Sequence, residues 1–482
     1  MTIDTLPDIA LLEIFDFYVA QAPDPPIYNR ETWITLAHVC RKWRDIVFAS
    51  PRRLNLRLLV TPMSSVGLML DTWPPLPIDI WGFELGGWGM DTIIAALEHD
   101  DRIRQIELFD SSSFHMELAL EAMRKPFPEL MSLSLQFFDE EPNQVTVTWP
   151  AIPDSFLGES VPRLQSLRLI SIPFPLPALQ KLLLSATDLV KIRIWKIPNS
   201  WYISPKEMIT CLSTLTRLEE FELGFQSRDD WGSRRLPPST LSTRCVLPAL
   251  TSLQFKGVYE YMEDLMARID APQLDNLKLF LFDQPVLAAP RLAQLVGRTP
   301  RFKALNELHV LFDQRGIFVL LPCTPRRGLQ IGIFRGSYGA QYSALVELCT
   351  SESSFLRNLI PTVKHLYTFE SRSLMYWLEN TESSQWLELL HPFTAVKDLY
   401  LSKEFALYIV PALLGSVGEG KTEVLPALRN LFLERIPSPG PVEEISRQFV
   451  AARQLSSHQI AISYWDVKRD KTDKMFDHED GL

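Results

Sequence analysis

The hydrophobic positions of the chain return in one short phrase: an aliphatic residue, two variable residues, a second aliphatic, one variable residue and a third aliphatic, L-x-x-L-x-L. Clear copies are IRQIEL from Ile103, LMSLSL from Leu130, LQSLRL from Leu164, LVKIRI from Leu189, LEEFEL from Leu218, LTSLQF from Leu250, LDNLKL from Leu274, LNELHV from Leu305, VKDLYL from Val396 and LRNLFL from Leu428. Weaker ones stand at Leu76, Leu329, Val363 and His458. Successive starts lie mostly 24 to 34 residues apart, and the weak copy at Leu329 divides the one double step. A period on this scale predicts a stacked repeat array. Alternation within each phrase predicts a strand that turns its last two aliphatic residues inward. A single copy has no core of its own. Stacking supplies one, at about 1.5–3 kcal/mol per fully buried aliphatic side chain.

Proline introduces many of the phrases, as in FPELMSL, VPRLQSL, LPALTSL, APQLDNL and LPALRNL. Because proline cannot continue a helix, it marks the passage from a returning segment into the next strand. Segments 91–99, 176–186, 204–215 and 259–269 carry apolar residues three and four apart and predict helices. The polar insertions 139–154 and 226–244 predict projecting loops, and the charged stretch 466–482 predicts a disordered tail.

The first fifty or so residues follow a different grammar. Thr5 and Asp8 stand at capping-box spacing with Pro7 between them, and Leu11, Ile14, Phe15 and Tyr18 then recur at helical spacing. The proline-rich stretch 22–29 ends that helix. A second helix is predicted over 30–49, with Trp33, Leu36, Cys40, Trp43 and Val47 on one stripe and Val39 and Ile46 beside it. So small a unit cannot hide that much apolar surface within itself, so part of it faces a partner.

Composition narrows the class. A hydrophobic share of 46% with 22% charged residues fits a folded chain rather than a disordered one. The 48 basic residues against 58 acidic ones leave a net charge of −10, which argues against a nucleic-acid-binding surface. The basic clusters (Arg41, Lys42 and Arg44 with Arg52 and Arg53; Arg234 and Arg235; Arg326 and Arg327) are short and far apart. Five dispersed cysteines (Cys40, Cys211, Cys245, Cys323 and Cys349) with no C-x-x-C spacing fit a reducing compartment. Asp4 and Asp8 precede any apolar run, so no secretory signal is expected. The apolar stretch 406–418 is too short to span a bilayer and is interrupted by Pro411. A cytoplasmic or nuclear protein without membrane contact is the expectation.

The periodic part resembles leucine-rich repeats. The resemblance implies an α/β fold over residues 54–465, an irregular solenoid with parallel strands on one face and helices on the other. The Asn or Cys usual three residues after the last leucine is replaced by Phe138, Ile172, Ile197, Val258 and Ile436. The side-chain ladder that joins neighbouring turns is therefore expected to be missing.

The ordered set LPDIALLEIF, TLAHVCRKWRDI and ASP, within residues 1–53, resembles an F-box. It departs from the pattern at Ile9, where Glu is usual, and at Ala10, where a larger aliphatic is usual. The resemblance implies docking on the Skp-type adaptor of an SCF ubiquitin ligase, and through it on a cullin, while the repeats present a target protein for ubiquitination. Carried over by position, Leu6, Pro7, Leu11, Ile14, Phe15, Leu36, Val39, Cys40 and Trp43 form the adaptor face and its supporting core. Leu6 and Pro7 stand foremost for direct contact, whereas Phe15 and Trp43 suit the core equally well. The layout, with proline-led repeats and abundant Trp, also resembles the F-box families of basidiomycete fungi.

An F-box protein needs no catalytic residues, since other subunits transfer ubiquitin. The sequence carries no phosphate-binding loop, nucleophile elbow, zinc-protease or dinucleotide fingerprint, so neither enzyme activity nor a cofactor is expected. His38 and Cys40 lie two apart on the predicted helix, where side chains diverge. GGWG at 86–89 reads as a turn. Trp231, Arg234 and Arg235 in the longest insertion have the chemistry of an interface hot spot and are candidates for target contact. Two functions stay open: a substrate-recruiting ligase subunit, or a leucine-rich-repeat scaffold whose degenerate box binds no adaptor.

Overall fold

The computed structural model describes residues 6–20, 32–83, 89–138, 149–150, 152–198, 201–226, 244–282, 289–302, 305–313, 316–324, 327–334, 338–351, 354–370, 382–417, 423–434, 441–455 and 459–465. Thr5, the proline-rich stretch 22–29, most of both predicted loops, Ile436 and the tail lie outside these residues. The chain divides into two compact units, Met1–Ile203 and Ser204–Leu482.

The first unit opens with three short helices, α1 (Asp8–Ala20), α2 (Thr32–Val39) and α3 (Arg41–Ala49). Sequence periodicity predicts one helix where α2 and α3 stand. The backbone breaks at Cys40, which is extended at φ −157° and ψ 171°, and the Cys40 sulfur accepts the Trp43 N–H as the cap of α3. The break sends two tryptophans of one predicted stripe into different cores. Trp33 packs against Trp73 at 5.2 Å and Phe48 at 6.0 Å, while Trp43 packs against Phe15 at 4.8 Å.

Six strands follow: β1 (Leu58–Val60), β2 (Ile78–Phe83), β3 (Ile103–Asp110), β4 (Ser132–Phe137), β5 (Ser166–Ile170) and β6 (Lys191–Ile197). Each pairs in parallel with the next. All three aliphatic residues of a phrase turn inward, not only the last two: Leu164, Leu167 and Leu169 are each at most 1% exposed. The predicted return helices are found at Met90–Leu97 and Leu176–Ser185.

The second unit contributes β7 (Glu220–Phe225), β8 (Cys245–Val246), β9 (Ser252–Gly257), β10 (Ile269–Asp270), β11 (Asn276–Phe282), β12 (Glu307–Asp313), β13 (Gly316–Thr324), β14 (Arg327–Phe334), β15 (His365–Glu370), β16 (Asp398–Leu401), β17 (Asn430–Glu434) and β18 (Ala461–Trp465). β8 and β10 form a small parallel pair of their own. The main sheet runs β7-β9-β11-β14-β13-β12-β15-β16-β17-β18. Helices Pro205–Leu212 and Tyr259–Arg268 stand where predicted, the former opened by a capping box of Ser204 and Glu207.

The expectation of an all-parallel sheet is corrected here. β12 pairs antiparallel with β13, and β13 antiparallel with β14. The reason is connection length: Asp313 lies opposite Gly316 and Thr324 opposite Arg327, turns far too short for the dozen or more residues of a parallel crossover. The hairpin is spliced between two repeats, after which β11–β14 and β12–β15 resume parallel pairing.

Ile172, Ile197 and Val258, at the usual Asn position, are between 2% and 6% exposed and close the strand ends by burial. Two carboxylates cap helices of neighbouring repeats. Glu263 accepts the N–H groups of Arg291 and Leu292 at 3.0 and 2.9 Å, capping helix Pro290–Arg298. Glu434 likewise accepts the Lys403 N–H at 3.0 Å at the start of helix Lys403–Ser416.

Candidate functional site

The N-terminal helices hold the sequence-predicted residues in two distinct environments. Leu11 and Phe15, one turn apart on α1, are fully buried. They meet Leu36 of α2 and Trp43 of α3, 5% and 9% exposed, in a small core completed by Ile46 and Val47. Polar contacts tie the ends of this core. Lys42 donates to the Leu6 carbonyl at 3.0 Å and lies 3.5 Å from Asp8. Arg53 pairs with Glu13 and Asp16 of α1, and Arg44 donates to the Ala37 carbonyl at 3.0 Å. Such surface pairs contribute about 0–1 kcal/mol each, so apolar burial supplies most of the hold.

The remaining candidates face solvent. Pro7 is exposed and Leu6 half-buried. Ile14 is 44% exposed and Val39, at the end of α2, 55%. Cys40 is half-buried with its sulfur engaged as the cap of α3. Three apolar residues that sequence reasoning did not assign to this surface join it: Ile9 at 73%, Phe17 at 67% and Tyr18 at 43% exposed. Ile14, Phe17 and Tyr18 lie within one turn of each other and so form a continuous patch on α1. The missed signal was the width of the apolar arc. α1 carries apolar residues well beyond the stripe that one neighbouring helix covers.

The other candidate chemistry disperses. The His38 ring lies 5.9 Å from that of Trp73, away from the capping role of Cys40. Of GGWG only Gly89 is described. Trp231, Arg234 and Arg235 lie outside the described residues. Burial pushes the thiols of Cys211 and Cys245 up to about 11 and that of Cys349 up to about 12, so these three stay protonated at neutral pH. Among the described residues no group of three His, Cys, Asp or Glu side chains is placed to hold a metal ion. Nor is any helix among them long and apolar enough to cross a membrane.

No protein-family model matches the chain. No curated protein matches it in sequence. Among solved structures, the chain is similar to the leucine-rich repeat-containing protein LegL7 of Legionella pneumophila, at 12% identity over 82% of this chain and 97% of that one, with a TM-score of 0.27.

Proposed function

We propose that this chain is the substrate-recruiting subunit of a Skp–cullin–F-box ubiquitin ligase, its N-terminal helices docking on the Skp-type adaptor and its repeats holding the target protein. The observation that carries the reading is the division of the F-box-like residues. Leu11, Phe15, Leu36 and Trp43 build a core, while Pro7, Ile14 and Val39 are held toward solvent around it, joined there by Phe17. A helical unit of this size presents such an apolar face when another protein covers it. The shift from acidic Glu to Ile9 makes that face more apolar, so adaptor binding should depend little on salt.

The test is co-expression with a Skp-type adaptor and size-exclusion chromatography of the wild type beside Leu6→Ala/Pro7→Ala and Ile14→Asp/Phe17→Asp. The wild type is expected to co-elute with the adaptor. Both variants should lose the complex while retaining wild-type circular dichroism, since forfeiting burial of two apolar side chains weakens binding about a hundredfold. A folded wild type that elutes alone would sink the ligase reading and leave the scaffold.

A further inference from the structure

The variable positions of the repeat phrases face away from the core, and in the second unit they line up into rows. The middle row is aromatic: His309 of β12, Tyr367 of β15, Tyr400 of β16 and Phe432 of β17. Successive rings stack at 4.3, 4.1 and 4.2 Å with planes within 14°, 12° and 5° of parallel. Trp465 of β18 meets Tyr367 and Tyr400 edge-on at 5.9 and 5.4 Å, and its indole N–H donates to the Leu401 carbonyl at 3.1 Å. Tyr367, Tyr400, Phe432 and Trp465 are all half-buried rather than covered.

Toward the strand starts the next row is Glu307, His365, Asp398 and Asn430. Its two acids are already engaged. Asp398 meets His365 at 2.7 Å and accepts from Asn430 at 2.6 Å. Glu307 lies 3.5 Å from His309, whose hydrogen bond holds its carboxyl below the usual range.

The outermost row is Lys364, Lys397 and Arg429, on three adjacent repeats. Backbone bonds of 2.8 Å from Lys397 N–H to the Lys364 carbonyl and from Arg429 N–H to the Lys397 carbonyl set them side by side. All three are exposed, and none has an ion-pair partner among the described residues. Like charges facing each other on neighbouring strands are unfavourable. In a chain of net charge −10 this row is a local reversal that the fold itself does not use.

We infer that this face of the second unit docks an extended acidic segment of a partner protein, its carboxylates on Lys364, Lys397 and Arg429 and an adjoining apolar side chain against the Tyr400, Phe432 and Trp465 edges. Strands lie about 4.8 Å apart, so three rungs span what three to four residues of extended chain cover at about 3.4 Å each. The ring geometry selects the same partner. Tyr367 and Tyr400, inside the stack, spend both faces on their neighbours and present edges, the electropositive part of an aromatic, which suits carboxylate and carbonyl oxygens. Nucleic-acid bases need ring faces to stack on, and inside the ladder these are already used by neighbouring rings. This inference is independent of what the N-terminal helices bind.

The test uses the full chain without adaptor, so its outcome is separate from that of the ligase reading. A phage library of random peptides about twelve residues long is panned on the purified protein, and the enriched peptide is labelled and titrated by fluorescence anisotropy. The expected consensus pairs clustered Asp or Glu with an aromatic or aliphatic residue. Its affinity should fall at least about tenfold for Lys364→Glu/Lys397→Glu/Arg429→Glu and stay within about twofold for Lys364→Arg/Lys397→Arg/Arg429→Lys. Replacing the acids of the peptide by Asn and Gln probes the same contacts on the unaltered protein and should weaken binding about as much. Four results would overturn the inference: no enrichment, a consensus without acids, equal affinity for the amide peptide, or tighter binding of an oligothymidylate of about twelve nucleotides.

Discussion

Asp275 shows how one side chain can hold a topological exception in place. It lies just before β11, only 5% of its side chain is exposed, and it receives Arg301 at 2.7 Å and Arg327 at 2.9 Å on each oxygen. Arg327 opens β14, so this carboxylate clips the returning strand of the hairpin to β11. The guanidinium groups are half-exposed and keep much of their water, which moderates the loss when their partner goes. Asp275→Ala is expected to destabilise the second unit by about 1–3 kcal/mol in urea denaturation, and Arg301→Ala by less, because Arg327 still pairs with the acid. None of this was legible in the sequence, where the two arginines stand far downstream in unlike segments. Cys40 was equally hidden. The apolar stripe runs in phase through it, and only its extended backbone separates Trp33 from Trp43. The burial of Leu11, Phe15, Leu36 and Trp43 was legible, because they are apolar residues at helical spacing. The exposure of Phe17 was not, since it depends on how α2 and α3 fold back.

At the scale of elements, Glu263 links the helices of two repeats. Burial holds its carboxyl above the usual range, although the two N–H groups it accepts and Arg291 pull the other way. A carboxyl raised on folding binds its proton more tightly in the folded state. The cost of its charge is therefore fully present above the folded pKa and fades as pH falls through that value toward the unfolded one. In urea denaturation at stepped pH, the stability of wild type relative to Glu263→Gln should rise over that acid window and level off below it. Glu263→Ala, which leaves both N–H groups without their cap, should lose about 1–2 kcal/mol at neutral pH. The strands and helices of the repeats were largely legible because the L-x-x-L-x-L phrase returns in nearly every one, although the steps between copies vary. β13 was not. GIFVLLPCT is a nearly continuous apolar run, and such a run reads alike whichever way its strand points.

Across the whole molecule, stability is expected to be local. Leu399 is fully buried in β16, in register with Leu366 and Leu431. Leu399→Ala should cost about 2–5 kcal/mol, and hydrogen exchange should quicken in β15, β16 and β17 while Met1–Ile203 keeps its protection, as expected where repeats support only their neighbours. The surface rows are also a whole-molecule feature, and they were partly in plain view. Lys364, Lys397 and Arg429 share the second position of their phrases, and Tyr367, Tyr400 and Phe432 the fifth. His309 joins the ladder only because the hairpin lets β12 lie beside β15, which no alignment of phrases reveals.

That hairpin also sets a problem of timing. A growing repeat array normally adds each new strand to the edge left by the one before, but β12 leaves synthesis before β13 and β14, the two strands that stand between it and β11. Until residue 334 has been made, the edge of β11 stands open and β12, with a similar alternation of side chains, is the nearest strand able to occupy it. Assembly of the second unit must therefore wait at this point or begin with an error to undo, and its slowest step is expected where β14 displaces β12 from β11.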